Sequence, residues 1–233
     1  KPIGFLKSCY PDKFGVPRQS GLVTKAFSEL VISPEWQPEQ ALQGLEGYSH
    51  VWIVFVFHLN KTSRYHAKVH PPRMNGESIG VFATRSPHRP NPIGLSLVEI
   101  VDIQKDKIIF SGADLVDGTP VLDIKPYLPQ FENQPQAKGG WAVATHPIEI
   151  GVEFTSQANE QLDRWVEKTG RTELRDVIIQ TLKQDPRPVI YKGFESAESP
   201  YRNKHAFRLY DGDIHFEFLT PQIARVIDIK FEI

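Results

Sequence analysis

The chain has 233 residues, 40% of them hydrophobic and 24% charged, with a formal net charge of −1 at pH 7. That length suits one large domain, or one domain with a smaller appendage, and it can bury a core without staples. The near-neutral balance argues against a generic polyanion binder, and a lone cysteine excludes an internal disulfide and fits a reducing compartment. The longest apolar run, Val51 to Phe57, is far too short to cross a membrane. No signal peptide is expected, and the expected location is the cytoplasm.

In chain order, the first two-thirds read as strands. Val51 to Phe57 is a continuous β-branched and aromatic run, expected to be buried on both faces. Ser78 to Ala83, Leu95 to Ile103, Lys107 to Phe110 and Ile148 to Phe154 follow, with at most a helical turn around Glu39 to Leu45. Many short strands with Pro- and Gly-rich turns point to a barrel. Pro129 to Gly140 reads as a long loop. After Phe154 the pattern changes. Leu162, Trp165 and Val166 mark a helix that begins near Thr155 or Ser156 and stops at Gly170. Leu174, Val177, Ile178 and Leu182 mark a second helix, ended by Pro186. Two strands then flank a hairpin turn at Asp211-Gly212, and Val226 to Ile233 alternates, with Ile227, Ile229, Phe231 and Ile233 on one face. The expected fold is mostly β: a barrel domain over 1–150 and a smaller α+β domain over 151–233.

Charge is sorted along the chain. Arg64, Lys68, Arg73, Arg85 and Arg89 face only Glu77 between Arg64 and Asn91, with His66, His70 and His88 interleaved. Glu29 to His50 carries only acidic charge. This fits a local basic face, or merely solvated loops. Cofactor-binding glycine fingerprints, phosphate loops and paired CxxC motifs are missing. His66 and His70 have the spacing of two metal ligands, but two prolines follow and no third ligand is evident, so no metal is expected. Cys9 reads as inert packing, with a nucleophilic role as the alternative.

Four segments concentrate chemistry. Thr84 to Ser96 sets Arg85, His88, Arg89 and Asn91 among Pro87, Pro90 and Pro92. Proline stiffens the backbone and removes donors, so a rigid polar loop of this kind suits ligand binding; the alternative is a structural corner. Gly112 to Tyr127 carries Asp114, Asp117 and Asp123, either turn caps or acceptors for ribose hydroxyls or a cation. Lys13 to Gly21 combines Gly, Pro, Arg and Gln in a loop. Asp185-Pro-Arg-Pro leads to Tyr191 and Lys192, which with Arg187 could grip phosphate and stack a base, or form a plain connector.

Together Pro2-Ile-Gly4, Phe14-Gly-Val-Pro-Arg-Gln19, Phe82-Ala-Thr-Arg-Ser86, Arg89-Pro-Asn-Pro-Ile-Gly94, Asp114-Leu-Val-Asp-Gly-Thr-Pro120 and Asp123-Ile-Lys-Pro-Tyr127 resemble the TrmO (TsaA/YaeB) tRNA methyltransferases. The match runs to about residue 150, and Asp185-Pro-Arg-Pro with Lys192 resembles the bacterial C-terminal extension. The resemblance implies a single-sheeted β-barrel methyltransferase using S-adenosylmethionine, acting as a homodimer. It implies methylation of N6 of threonylcarbamoyladenosine beside the anticodon of a threonine tRNA. By position it assigns the cofactor to Gln19, Ser20, Gly21, His58, Leu59, Arg85, Leu95, Asp114, Leu115, Val116 and Asp117. Arg89 and Asn91 are the candidates to orient the modified base, because an arginine suits its carboxylate bidentately. Arg18, Arg187, Tyr191 and Lys192 are the candidate nucleic-acid contacts. Two other classes compete: a non-catalytic RNA- or nucleotide-binding barrel, and a hydrolase using Asp117 or Asp123 with His58.

Overall fold

The structure is a computed structural model and describes residues 1–60, 65–71, 74, 76–142, 149–187 and 204–232. It divides into two compact units: Lys1–Lys7, Ser28–Ser111 and Gly118–His146 form one, and Ser8–Phe27, Gly112–Asp117 and Pro147–Ile233 form the other.

The first unit contains β1 (Gly4–Lys7), β2 (Phe27–Ile32), β3 (His50–Val56), β4 (Lys68–Val69), β5 (Ile79–Gly80), β6 (Ile93–Ile103), β7 (Lys107–Ser111) and β8 (Thr119–Pro126), with single helical turns α1 (Pro38–Ala41) and α2 (Pro129–Glu132). Six strands hydrogen-bond in the order β1-β2-β7-β6-β3-β8, and β1 also pairs with β8, so this sheet closes on itself. Closure leaves no edge to protect. Leu6, Leu30, Val51, Ile53, Phe55, Val98, Ile108, Phe110 and Val121 are buried in it. The run over β3 is not buried on both faces: its burial alternates, with Val51, Ile53 and Phe55 inside. The outer side is apolar because the segment after β8 rests there. Trp52 Nε1 donates to Glu132 Oε1 at 3.0 Å, and its ring meets Tyr127 edge-on at 6.2 Å. The stretch Ser78 to Ala83 is only briefly a strand; after β5 it tightens into a 3-10 turn at Val81–Ala83.

The second unit holds β9 (Gly151–Phe154), α3 (Ser156–Thr169), α4 (Leu174–Lys183), β10 (Lys204–Leu209), β11 (Gly212–Thr220) and β12 (Ile223–Phe231). The sheet order is β10-β11-β12-β9, with β9 parallel to β12. Thr155 caps α3 by accepting from Ala158 N, and Gly170 ends it with φ +70. Ala158, Leu162 and Trp165 of α3, and Leu174, Val177, Ile178 and Leu182 of α4, are buried in one cluster with the sheet.

Three details depart from the sequence pattern. Cys9, Tyr10, Val23 and Ala26 belong to this cluster, so residues 8–27 pack with the C-terminal unit although a single boundary near 150 puts them in the barrel. Cys9, Tyr10, Val23 and Ala26 lie outside any strand, and their burial comes from the helices and sheet far along the chain. The hairpin turn is Tyr210-Asp211, because Leu209 pairs with Gly212. Gly212 lies inside β11, where a side chain would meet the Trp165 ring at 2.4 Å. In β12 the pairing shifts at Ile227, which lies between the Val226 and Asp228 partners, so Ala224 and Val226 share the buried side with Ile229. The bulge reverses the expected alternation over the first half of the strand. Ile148 and Ile233 lie outside the described residues.

Candidate functional site

The segments singled out in the sequence form hydrogen-bonded pairs within each unit. In the second unit, the first loop meets Gly112–Asp117. Gly21 N donates to Gly112 O at 2.8 Å, and Gly112 N donates to Ala26 O at 3.0 Å. Both glycines are in the left-handed region, and a Cβ on Gly112 would stand 3.1 Å from the Gly21 backbone. The approach therefore requires glycine on conformational and steric grounds. The other end of the segment is held by Ser8 to Tyr10. Asp117 N donates to Tyr10 O at 2.8 Å, Ser8 N donates to Asp117 Oδ1 at 2.9 Å, and Ser8 Oγ donates to Leu115 O at 2.8 Å. Asp114 and Val116 are half-buried and Asp117 is exposed. The Leu115 side chain is core, so only its backbone is presented. Gln19 and Ser20 are half-buried, and Gln19 Nε2 donates to Arg18 O at 2.7 Å.

An open cavity of about 470 Å³ borders this segment, lined by Ser8, Pro11, Asp117, Arg171, Tyr210 and Asp211. The Arg171 guanidinium stands 4.1 Å from the centre of the Tyr210 ring and 3.8 Å from Asp211. Sequence reading passed over Arg171 and Tyr210. Neither belongs to a motif, and the first signal for them is their meeting at a helix end and a hairpin turn.

Arg18 and Arg187, expected as nucleic-acid contacts, are used inside the unit. Arg18 Nη2 donates to Asp185 O at 3.0 Å. Arg187 is 3% exposed. Its Nε and Nη2 donate to the two carboxylate oxygens of Asp185 at 2.9 and 3.3 Å, and its guanidinium lies 3.5 Å from the centre of the Phe218 ring. A buried arginine paired bidentately and stacked on an aromatic is not presented to a phosphate. This corrects the expectation for Arg187: the motif anchors the chain after α4. Tyr191 and Lys192 lie outside the described residues.

In the first unit, the end of β3 joins the proline-rich loop. Phe57 N donates to Pro92 O at 2.8 Å, and Asn60 Nδ2 donates to Pro87 O at 2.9 Å. His58, Arg85, Asn91 and Leu95 are exposed, and Leu59 is half-buried. Arg89 is half-buried and its Nη1 donates to Val81 O at 3.2 Å and Thr84 O at 2.8 Å, with its guanidinium 5.6 Å from the Phe82 ring centre. That part of the side chain shapes the loop. The Asp123 carboxylate sits 2.9 Å from Lys125 Nζ, and His58 and Asp117 belong to different units. Cys9 is fully buried, and burial pushes its thiol up to about 12, which suits inert packing. Burial likewise raises the Tyr210 hydroxyl above its ordinary value. Among the described residues, no three His, Cys, Asp or Glu side chains gather to hold a metal ion.

With this geometry in place, comparison with known proteins is specific. Residues 5–133 match the model of the tRNA-methyltransferase O N-terminal domain, and residues 147–232 match that of the TrmO C-terminal domain. A Pseudomonas aeruginosa protein named "Putative S-adenosylmethionine-dependent methyltransferase RcsF" is 42% identical over 98% of this chain and 96% of its own. An Escherichia coli tRNA (adenine(37)-N6)-methyltransferase is 41% identical over 99% of this chain and 94% of its own. A crystal structure of TrmO from Pseudomonas aeruginosa superposes with a TM-score of 0.81 at 37% identity, covering 99% of this chain and 95% of that one. With both halves matched and nearly the whole length aligned, the chain belongs to the tRNA-methyltransferase O family.

Proposed function

We propose that this protein is a tRNA methyltransferase that uses S-adenosylmethionine to methylate N6 of the adenosine at position 37, and that its substrate is threonylcarbamoyladenosine in threonine tRNA. The observation that carries the reading is near-full-length identity to a tRNA (adenine(37)-N6)-methyltransferase. The residues fit such a cofactor. Two left-handed glycines keep side chains away from the backbone at Gly21–Gly112, and Asp114 and Asp117 sit on a pinned loop. Arg85 and Leu95 are exposed on stiff backbone.

S-adenosylmethionine supplies an electrophilic methyl group on a sulfonium. Gln19, Ser20, Gly21, His58, Leu59, Arg85, Leu95 and Asp114 to Asp117 are assigned to holding it. An aspartate suits ribose hydroxyls or positive charge, and Arg85 suits a carboxylate. Methyl transfer gains mostly from alignment, which pinned loops provide. The target nitrogen lies between a purine and a carbonyl, so its lone pair is delocalised and its proton must reach an acceptor. Asn91 is assigned to orient the base. Arg89 orients the threonyl carboxylate with the guanidinium nitrogens other than Nη1, or acts by holding the loop. An anticodon-loop target needs no duplex opening. The family resemblance further supports a homodimer in the cytoplasm, which light scattering on the purified protein checks. No described helix is long and apolar enough to cross a membrane.

The test is methyl transfer from labelled S-adenosylmethionine to threonine tRNA with and without the threonylcarbamoyl group. Label should enter the modified tRNA at its N6. Equal labelling of both tRNAs overturns the substrate assignment, and no labelling of either overturns the reaction.

A further inference from the structure

Phe82 is 71% exposed, yet the backbone that carries it is held at every neighbouring residue. Val81 N donates to Ala67 O at 3.0 Å. Val81 O accepts from Thr84 N, Thr84 Oγ1 and Arg89 Nη1. Ala83 O accepts from Trp141 Nε1 at 2.8 Å, and Thr84 O from Arg89 Nη1 at 2.8 Å. A lone exposed phenylalanine is ordinary; one fixed on a clamped 3-10 turn with a guanidinium beside its ring is pre-organised. The surroundings are basic and aromatic. Lys68 pairs with Gly80 across the β4–β5 ladder, and the exposed rings of His66 and His88 meet edge-on at 5.9 Å. Arg85 is exposed on the same loop, and Glu77 is the only acid among the described residues from Tyr65 to Asn91.

We propose that Phe82 is a substrate-contact residue, the platform on which an unpaired base of the tRNA anticodon loop stacks, with Lys68 and His88 bordering its phosphates. Exposed aromatics among cations are the chemistry that recognises single-stranded nucleic acid, since every base offers a π-face. Arg89, set beside the ring, reinforces the stack through its charge. This rests on the reading of tRNA as substrate and adds where the loop lands. Basic charge alone would also suit an acidic protein surface, but it would not call for an exposed, clamped ring.

The experiment measures threonine tRNA binding by fluorescence anisotropy, and methyl-transfer KM and kcat, for wild type, Phe82→Ala, Phe82→Leu and Phe82→Trp. S-adenosylmethionine affinity by calorimetry and the melting temperature serve as controls. Loss of one base–aromatic stack weakens binding roughly tenfold. Phe82→Ala should therefore raise the tRNA Kd and KM about tenfold, Phe82→Leu should resemble it, and Phe82→Trp should bind at least as well as wild type. The cofactor affinity and melting temperature should stay at wild-type values. Unchanged tRNA affinity in Phe82→Ala overturns the proposal, as does a leucine variant equal to wild type or a tryptophan variant as weak as alanine. If wild type transfers no methyl group, the functional reading fails, and the binding series still decides Phe82 on its own.

Discussion

Replacing Arg187 with alanine is expected to destabilise the protein by about 3 kcal/mol while leaving the salt dependence of tRNA binding unchanged. Removing one partner of a buried ion pair costs about 3–5 kcal/mol because the other charge is stranded. The Arg187 side chain is 3% exposed and that of Asp185 is 15% exposed, so the stranded carboxylate keeps some water and the lower end applies. The estimate includes the lost contact with the Phe218 ring. For a chain of this length about 3 kcal/mol lowers the melting temperature by roughly 6–12 °C. Scanning calorimetry measures it. The double change Asp185→Asn with Arg187→Met should recover most of the loss, since a neutral amide and an apolar side chain replace the pair and no charge is stranded. Asparagine is chosen because Asp185 has φ +47, which asparagine tolerates. If Arg187 instead neutralised a phosphate, the alanine variant would reduce the slope of log affinity against log salt by about 0.7–0.9. A reduced slope with an unshifted melting temperature would refute the anchoring role.

Three further expectations follow from local geometry. A Cβ at Gly94 would lie 2.1 Å from the Phe55 ring, so the ring must retreat by more than 1 Å to regain ordinary contact. Gly94→Ala should cost about 1–3 kcal/mol in urea denaturation, and Phe55→Leu in the same chain should return part of it; a neutral Gly94→Ala shows the ring has room. The Gln161 side chain donates to Asp228 at 2.6 Å and, with Lys230 and other neighbours, holds its carboxyl below the ordinary 3.8. A depressed folded-state value stabilises above the unfolded value and is lost as pH falls through the folded one. Stability should therefore decline in that acid range, and Gln161→Leu should flatten the decline; identical pH slopes in the two proteins remove the assignment. Arg85→Ala should weaken S-adenosylmethionine binding about tenfold or more, the worth of one charge-assisted hydrogen bond. Unchanged affinity by calorimetry takes Arg85 out of the cofactor site.

The proline-rich loop, the first loop and Asp114–Asp117 were legible as chemistry because their residue types are wasteful for packing. Rigid backbone, left-handed glycine and clustered acids leave a mark in the sequence itself. Phe82 was legible only as part of a motif, since an exposed ring and a buried one are the same letter. Arg187 was misread for the same reason: a phosphate contact and a buried anchor both ask for arginine, and only Asp185 and Phe218 in three dimensions separate them.

Local rules sufficed wherever the cause of structure lies within a few residues. Thr155 and Gly170 bound α3 through hydrogen bonds and backbone preference acting over one turn, and the strand-rich first part and the helical second part follow from hydrophobic period. Tertiary structure alone decided what depends on partners far along the chain. Residues 8–27 joined the C-terminal unit because Cys9, Tyr10, Val23 and Ala26 find their apolar contacts there. The Ile227 bulge set which face of β12 is buried because that face is defined by the register with β11. Gly212 became a strand residue because Trp165 fills the space beside it. In each case the burial free energy comes from surfaces that no window of sequence contains.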